Sequence, residues 1–122
     1  MPNAYKELGE DKLYEMIDRF YGYVKEDPRI NHLFPGDWEE TAYKQKLFQT
    51  QFLGGPNVYI EKYGHPMMKM RHMPFRITPA ARDAWLENME RAMNDVEIDE
   101  ELKKYMMARY EMTANHMVNS DD

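Results

Sequence analysis

The chain has 122 residues, 43% hydrophobic and 31% charged, with a formal net charge of -6, and its length suits one domain, residues 1–122. It contains no cysteine, which excludes thiolate zinc sites, iron–sulfur clusters and covalent haem attachment. The acidic balance without a basic stripe argues against nucleic acid as a partner, and no apolar run is long enough for a membrane span. The start, MPNAYKELGE, lacks the features of a signal peptide, so we expect a cytoplasmic location.

The first predicted element is an amphipathic helix over residues 10–26. Its apolar face repeats at three- and four-residue steps through Leu13, Met16, Ile17, Phe20, Tyr21 and Val24. Asp27 and Pro28 then predict a cap and a short helical turn, which Pro35 ends.

The second predicted helix covers residues 37–53. Asp37 with Glu40 three positions later predicts a capping box, and Gly54 ends the helix. Residues 54–66, rich in Gly, Pro and Tyr, are predicted as a long loop, a kind of segment that is often functional.

A short helix bounded by prolines follows this loop. Pro66 begins it and Pro74 ends it, so that His72 lies in its last turn, within the stretch MRHMPFR. By itself a histidine in apolar surroundings is more often a packed structural residue than a ligand.

Two further helices complete the chain, one capped by Thr78 and the other by Asp99. Their apolar faces contain Ala81, Trp85, Met89, Ala92 and Met93 in the first helix, and Leu102, Tyr105, Met106, Thr113 and Met117 in the second. Because no segment alternates as a strand does, the predicted fold class is all-α.

Several common site chemistries are missing from the sequence. Glu-x-x-His pairs and His-Glu-x-x-His are absent, which argues against di-iron carboxylate and zinc hydrolase sites. Phosphate-binding glycine patterns are also absent, and the only serine, Ser120, lies in the tail. The 12 methionines are compatible with adaptable core packing or with a soft lining for a large ligand.

Polar side chains occupy predicted core-facing positions on three helices. Gln45 lies in the stripe Thr41, Gln45, Phe48 and Phe52, whereas Tyr21 and Trp85 lie on other helices. Each could sit at the edge of its stripe and reach water. A polar ligand shared by Tyr21, Gln45 and Trp85 explains all three together more simply.

These residues belong to a pattern that resembles the truncated haemoglobins of the second group, from about Tyr5 to Asn119. The resemblance depends on the order and spacing of short motifs: FY at 20–21, LFP at 33–35, KQ at 44–45, FLGGP at 52–56, GHP at 64–66, RHMPF at 71–75, RDAW at 82–85 and HMVN at 116–119.

The resemblance implies a two-over-two helical sandwich around a non-covalent haem b, with His72 as the proximal ligand to iron. Arg71, Lys44 and Tyr59 would lie near the haem propionates. Apolar and aromatic contacts to the porphyrin would come from Phe34, Phe48, Met68, Phe75 and Trp85. The other three histidines keep ordinary structural roles.

On the ligand-binding side, the resemblance implies that Tyr21, Gln45 and Trp85 donate hydrogen bonds to a small ligand, with Thr41 at the entrance. Phe34 stands where some relatives have tyrosine, so one hydroxyl fewer faces the ligand. The implied function is reversible binding of O₂, and of CO, NO, sulfide or peroxide, with secondary redox or detoxification chemistry rather than a primary enzymatic role. A reductase is an implied partner of a monomer or weak homodimer.

A different class of function is also compatible with the residues. An all-α interaction module could use methionine-rich grooves to bind a partner helix. An absorption spectrum distinguishes the two, because only a haem protein shows a Soret band.

Overall fold

The computed structural model describes residues 3–121, with the side chain of Lys69 left aside. The elements of this range are α1 Ala4–Leu8, α2 Glu10–Lys25, a 3₁₀ helix Asn31–Leu33, α3 Trp38–Phe52, α4 Val58–Tyr63, α5 Met68–His72, α6 Pro79–Asp95 and α7 Glu100–Met117. No strand occurs within residues 3–121, so the all-α prediction is confirmed. None of the described helices is long and apolar enough to cross a membrane.

The predicted capping residues begin α3, α6 and α7. The side chains of Asp37, Thr78 and Asp99 accept hydrogen bonds from the first-turn amides of these helices at 3.3, 3.1 and 3.3 Å. The predicted capping box is only half formed, since the carboxylate of Glu40 lies 3.2 Å from the Lys44 ammonium instead. The cap therefore comes from Asp37 alone.

Two short helices were missed by the sequence analysis. Residues 54–66 are not one loop, because α4 lies within them, and the amide of Ile60 donates to Gln51 Oε1 at 3.0 Å. In α1, the amide of Tyr5 donates to the carbonyl of Leu53 at 2.9 Å. Helices of five or six residues carry too little periodicity to be recognised, and contacts with the end of α3 stabilise them.

The core lies where α2 packs across α3 and α6, and α6 packs beside α7. All residues of the predicted apolar face of α2 are buried. Methionines fill much of the interior, with Met16, Met89, Met93 and Met106 fully buried, as suits their flexible side chains.

The predicted stripe on α3 lines a cavity instead of packing fully into the core. Its members Thr41, Gln45, Phe48 and Phe52 are only half-buried and line a cavity, whereas the fully packed positions of the helix are Ala42, Leu47, Gln49 and Thr50. The inward position of Gln45 is thus at a cavity wall, as an interpretation with a shared polar ligand requires.

Candidate functional site

A cavity of about 440 Å³ lies among α3, α5, α6 and α7, and a smaller one of about 230 Å³ adjoins it beside α2 and α4. The two share the walls formed by Phe34, Thr41, Lys44, Gln45, Phe48, Met68, Arg71 and His72. The larger volume is within the range of about 300–1,000 Å³ that is usual for binding sites of small molecules and cofactors.

His72 is oriented in this cavity by its own helix. Its ring Nδ1 lies 2.6 Å from the carbonyl oxygen of Met68, one turn earlier in α5. A carbonyl can only accept, so Nδ1 carries the proton and donates. The tautomer thus leaves the lone pair on Nε2, which is the arrangement of a metal-ligating histidine.

Four polar side chains from three helices form a continuous chain of hydrogen bonds, which we call the polar relay: Tyr110, Gln49, Gln45 and Tyr21. The Tyr110 hydroxyl donates to Gln49 Oε1 at 2.8 Å, and Gln49 Nε2 donates to Gln45 Oε1 at 3.2 Å. Gln45 Nε2 then donates to the Tyr21 hydroxyl oxygen at 3.2 Å. The relay joins α7, α3 and α2 along the cavity wall.

Tyr21 ends the relay in an aromatic frame. Its ring contacts the rings of Phe20, Phe34 and Trp38 with centroid separations of 4.9, 5.8 and 6.2 Å. Burial raises the pKa of Tyr21 to about 12, although the hydrogen bond from Gln45 opposes this shift. The phenol consequently keeps its proton in neutral solution and can act as a donor.

Trp85 lines the larger cavity from α6. Its ring packs on Phe20 and Tyr110 with centroid separations of 5.0 and 5.5 Å. No described residue accepts a hydrogen bond from its indole N–H. This N–H is therefore not fully buried, because every fully buried side-chain polar atom among the described residues has a partner. An acceptor in the cavity is therefore the group that could use this donor.

Cationic side chains lie around the cavity. Arg71 donates to the hydroxyl of buried Tyr59 at 3.1 Å, and Lys44 lies 5.4 Å from the ring centroid of Tyr63. Arg82 also lines the cavity, although the sequence analysis did not select it. Arginine and lysine here suit carboxylates at the edge of a ligand.

Every site residue selected from the sequence lines one of these two cavities, with Tyr21 and Tyr59 at the smaller one and Phe75 and Trp85 at the larger. Gln49 and Tyr110 were missed. Both had a signal in the sequence, since Gln49 follows Gln45 by four residues, and Tyr110 continues the spacing of Met106 along α7.

The site fits a large, mostly apolar prosthetic group that bears acidic substituents. Aromatic and methionine side chains form most of its surface, cations lie around it, and His72 offers one nitrogen for a metal. These features fit haem. The fold and the cavity thus define a helical protein of the haem-binding class.

Comparisons with known proteins agree with the assignment to a helical, haem-binding class. The bacterial-like globin family matches residues 3–119. The group 2 truncated hemoglobin YjbI of Bacillus subtilis (strain 168) is 46% identical over 118 residues, covering 97% of this chain and 89% of the relative. The solved group II truncated hemoglobin from Bacillus anthracis has a TM-score of 0.95 and 43% identity, with 100% of this chain and 95% of that chain covered. A solved truncated oxygen-avid haemoglobin from Bacillus subtilis has a TM-score of 0.92 and 46% identity, covering 97% and 100% of the two chains.

The chain therefore belongs to the bacterial-like globin family, as a group II truncated haemoglobin with the two-over-two fold. Membership implies haem as the cofactor and a small molecule as its ligand.

Proposed function

We propose that the chain forms one domain, residues 1–122, that holds non-covalent haem b with His72 Nε2 as the only protein ligand to iron, and that it binds O₂ reversibly. The observation that carries the proposal is the hydrogen bond from His72 Nδ1 to the Met68 carbonyl, at 2.6 Å. Because Nδ1 carries the proton, Nε2 keeps its lone pair available, and the ring lines an apolar cavity.

His72 would hold the iron of a bound haem, and the haem would supply the chemistry that binds O₂ and other small ligands. The side chains on the distal side, away from His72, decide how long an electron-rich ligand stays. We assign the donor roles to Tyr21, Gln45 and Trp85, with Thr41 at the entrance. The protonated Tyr21 hydroxyl supports this assignment, as does the Trp85 N–H, which has no acceptor among the described residues.

Around the porphyrin and at its edge, the chain would provide packing and charge. Phe34, Phe48, Met68 and Phe75 line the cavity and would supply apolar contacts to the porphyrin. Arg71, Lys44 and Tyr59 are assigned to the propionates, since they share the wall of the smaller cavity. The description of one solved relative as oxygen-avid supports slow O₂ release here.

The test is an absorption spectrum of the purified protein, followed by reduction and cycles of oxygenation and argon flushing. We expect a Soret band, and reversible spectral change on each cycle. A colourless protein whose apo form takes up no added haem would contradict the proposal and favour an interaction module that binds a partner helix. Haem uptake with irreversible oxidation at the first cycle would retain the cofactor but remove reversible O₂ binding.

A further inference from the structure

The polar relay contains two residues, Gln49 and Tyr110, that lie one and two hydrogen bonds away from Tyr21. Both are 2% exposed. A glutamine and a tyrosine so deeply buried require hydrogen-bond partners, and within the described residues they find them only along the relay. Their placement needs an explanation beyond packing.

The direction of the relay matters because every member can both donate and accept. In the direction seen in the structure, Tyr110 donates at one end of the relay and Tyr21 accepts at the other. Run the other way, both glutamine amides turn over, Tyr21 donates to Gln45, and Tyr110 accepts. The two directions present different atoms to a ligand beside Tyr21.

The surroundings of Tyr110 select one direction. Its ring stacks on Phe52 with a centroid separation of 5.9 Å and meets Trp85 edge-on at 5.5 Å. Neither ring offers an acceptor oxygen, and Gln49 Oε1 is the partner of the hydroxyl. In the reversed relay the buried Tyr110 proton would have no acceptor, which is unfavourable.

At the Tyr21 end of the relay, the direction selected by Tyr110 leaves the hydroxyl proton of Tyr21 free to donate. Gln45 Nε2 donates to the Tyr21 oxygen, so the hydroxyl hydrogen is not used within the relay. It can be directed at an electron-rich ligand in the cavity. In the reversed relay Tyr21 would instead turn lone pairs towards the ligand and repel it.

We propose that Tyr110 and Gln49 are positioning residues that fix the direction of the relay and thereby hold Tyr21 as the hydrogen-bond donor to the haem ligand. The inference rests on the proposed function, because its effect is observed at that ligand. Neither residue needs to touch the ligand to act in this way.

The test uses the infrared stretching band of CO bound to the ferrous protein, since a nearby proton lowers this frequency and lone pairs raise it. Tyr110→Phe keeps the ring and removes only the hydroxyl, so the relay loses its preferred direction. We expect one CO band in the parent protein and two in this variant, with O₂ release faster by about three- to tenfold. Met106→Leu, a buried change one turn earlier on α7, should keep one band.

A double variant separates positioning from general loosening. If Tyr110 acts through Tyr21, then adding Tyr110→Phe to Tyr21→Phe should change O₂ release little further. A single unshifted CO band in Tyr110→Phe, or additive effects in the double variant, would overturn the inference. Gln49→Leu interrupts the same relay and serves if Tyr110→Phe does not fold. Failure of the parent protein to take up haem would contradict the proposed function instead.

Discussion

The two sides of the cavity are built differently. The proposed distal side uses side chains of long helices, where Tyr21 is 4% and Tyr110 2% exposed. The proposed proximal segment, residues 67–77, contains a helix of five residues that follows Met67 at a φ of 48°. Its Met70 and Met73 are 53% and 68% exposed. Packing in the protein's own core therefore positions Tyr21, the proposed distal donor.

The proximal segment depends on fewer contacts. Asn119, beyond the end of α7, accepts from the amide of Ile77 at 2.8 Å and donates to the carbonyl of Phe75 at 2.9 Å. These bonds tie the segment that follows His72 to the end of the chain. The difference suggests that proximal substitutions change haem occupancy, whereas distal substitutions change ligand rates in a protein that stays loaded.

The largest effect is expected from removing the proposed iron ligand. His72→Ala deletes the only coordinate bond from the protein, so it should purify largely free of haem. His65→Ala and His116→Ala, both at exposed positions, serve as controls and should retain full haem. Haem content per chain is the measurement, and a normally loaded His72 variant with an unchanged spectrum would remove the assignment.

A smaller effect tests how the proximal segment is held. Asn119→Ala removes the side-chain bonds to Ile77 and Phe75 and a longer one, at 3.5 Å, to the carbonyl of His72. A typical hydrogen bond contributes about 0.5–1.5 kcal/mol, so haem loss to an apo-acceptor should be roughly tenfold faster. Asn94→Ala changes an exposed asparagine at the far end of α6 and should leave that rate unchanged. Equal rates in both variants would show that the segment does not need Asn119.

The proposed contacts to the haem propionates should contribute less to haem retention. Arg71 is exposed and Lys44 has 43% of its side chain exposed, so solvent screens their charges. Either Arg71→Gln or Lys44→Gln should speed haem loss by at most about fivefold, with the larger effect at low salt. Lys12→Gln, at the start of α2, is the control. No change at either ionic strength would argue against the propionate role.

The smallest expected effect is that of pH. Because burial raises the pKa of Tyr21 to about 12, its proton remains in place well above neutrality. The O₂ off-rate should be flat from about pH 7 to about pH 10, where an ordinary tyrosine ionises. The contribution of the neutral phenol to stability is complete below pH 10 and is lost as pH rises through 12. A rate increase centred near pH 10 would show a solvated hydroxyl.

Long helices were predictable from sequence and short ones were not. The face of α2 follows from apolar periodicity over 16 residues, since a long helix must bury one stripe. In contrast, α1 forms where Tyr5 packs so closely on Gly55 that a Cβ there would lie 2.7 Å from its ring. That contact joins residues 50 positions apart, which local spacing cannot reveal.

The candidate site was predictable in the same uneven way. Helix periodicity singled out Tyr21, Gln45 and Trp85, and motif order assigned them and His72 to the site; all four line the cavities. The bond between Tyr110 and Gln49 depends on how α7 crosses α3, and this is a tertiary feature. Spacing alone places each residue on a helix face but does not pair them.

The most direct test of the central claim compares O₂ and CO dissociation from the ferrous protein by stopped-flow ligand replacement, in Tyr21→Phe, Gln45→Leu and Trp85→Phe. Hydrogen bonds to an electron-rich ligand are partly charge-assisted, so losing one should raise the O₂ off-rate by about 10- to 100-fold. CO attracts these donors much less, and its off-rate should change far less. Parallel changes for both gases in all three variants would contradict the account. They would show an apolar pocket in which Tyr21, Gln45 and Trp85 donate no hydrogen bond to the ligand.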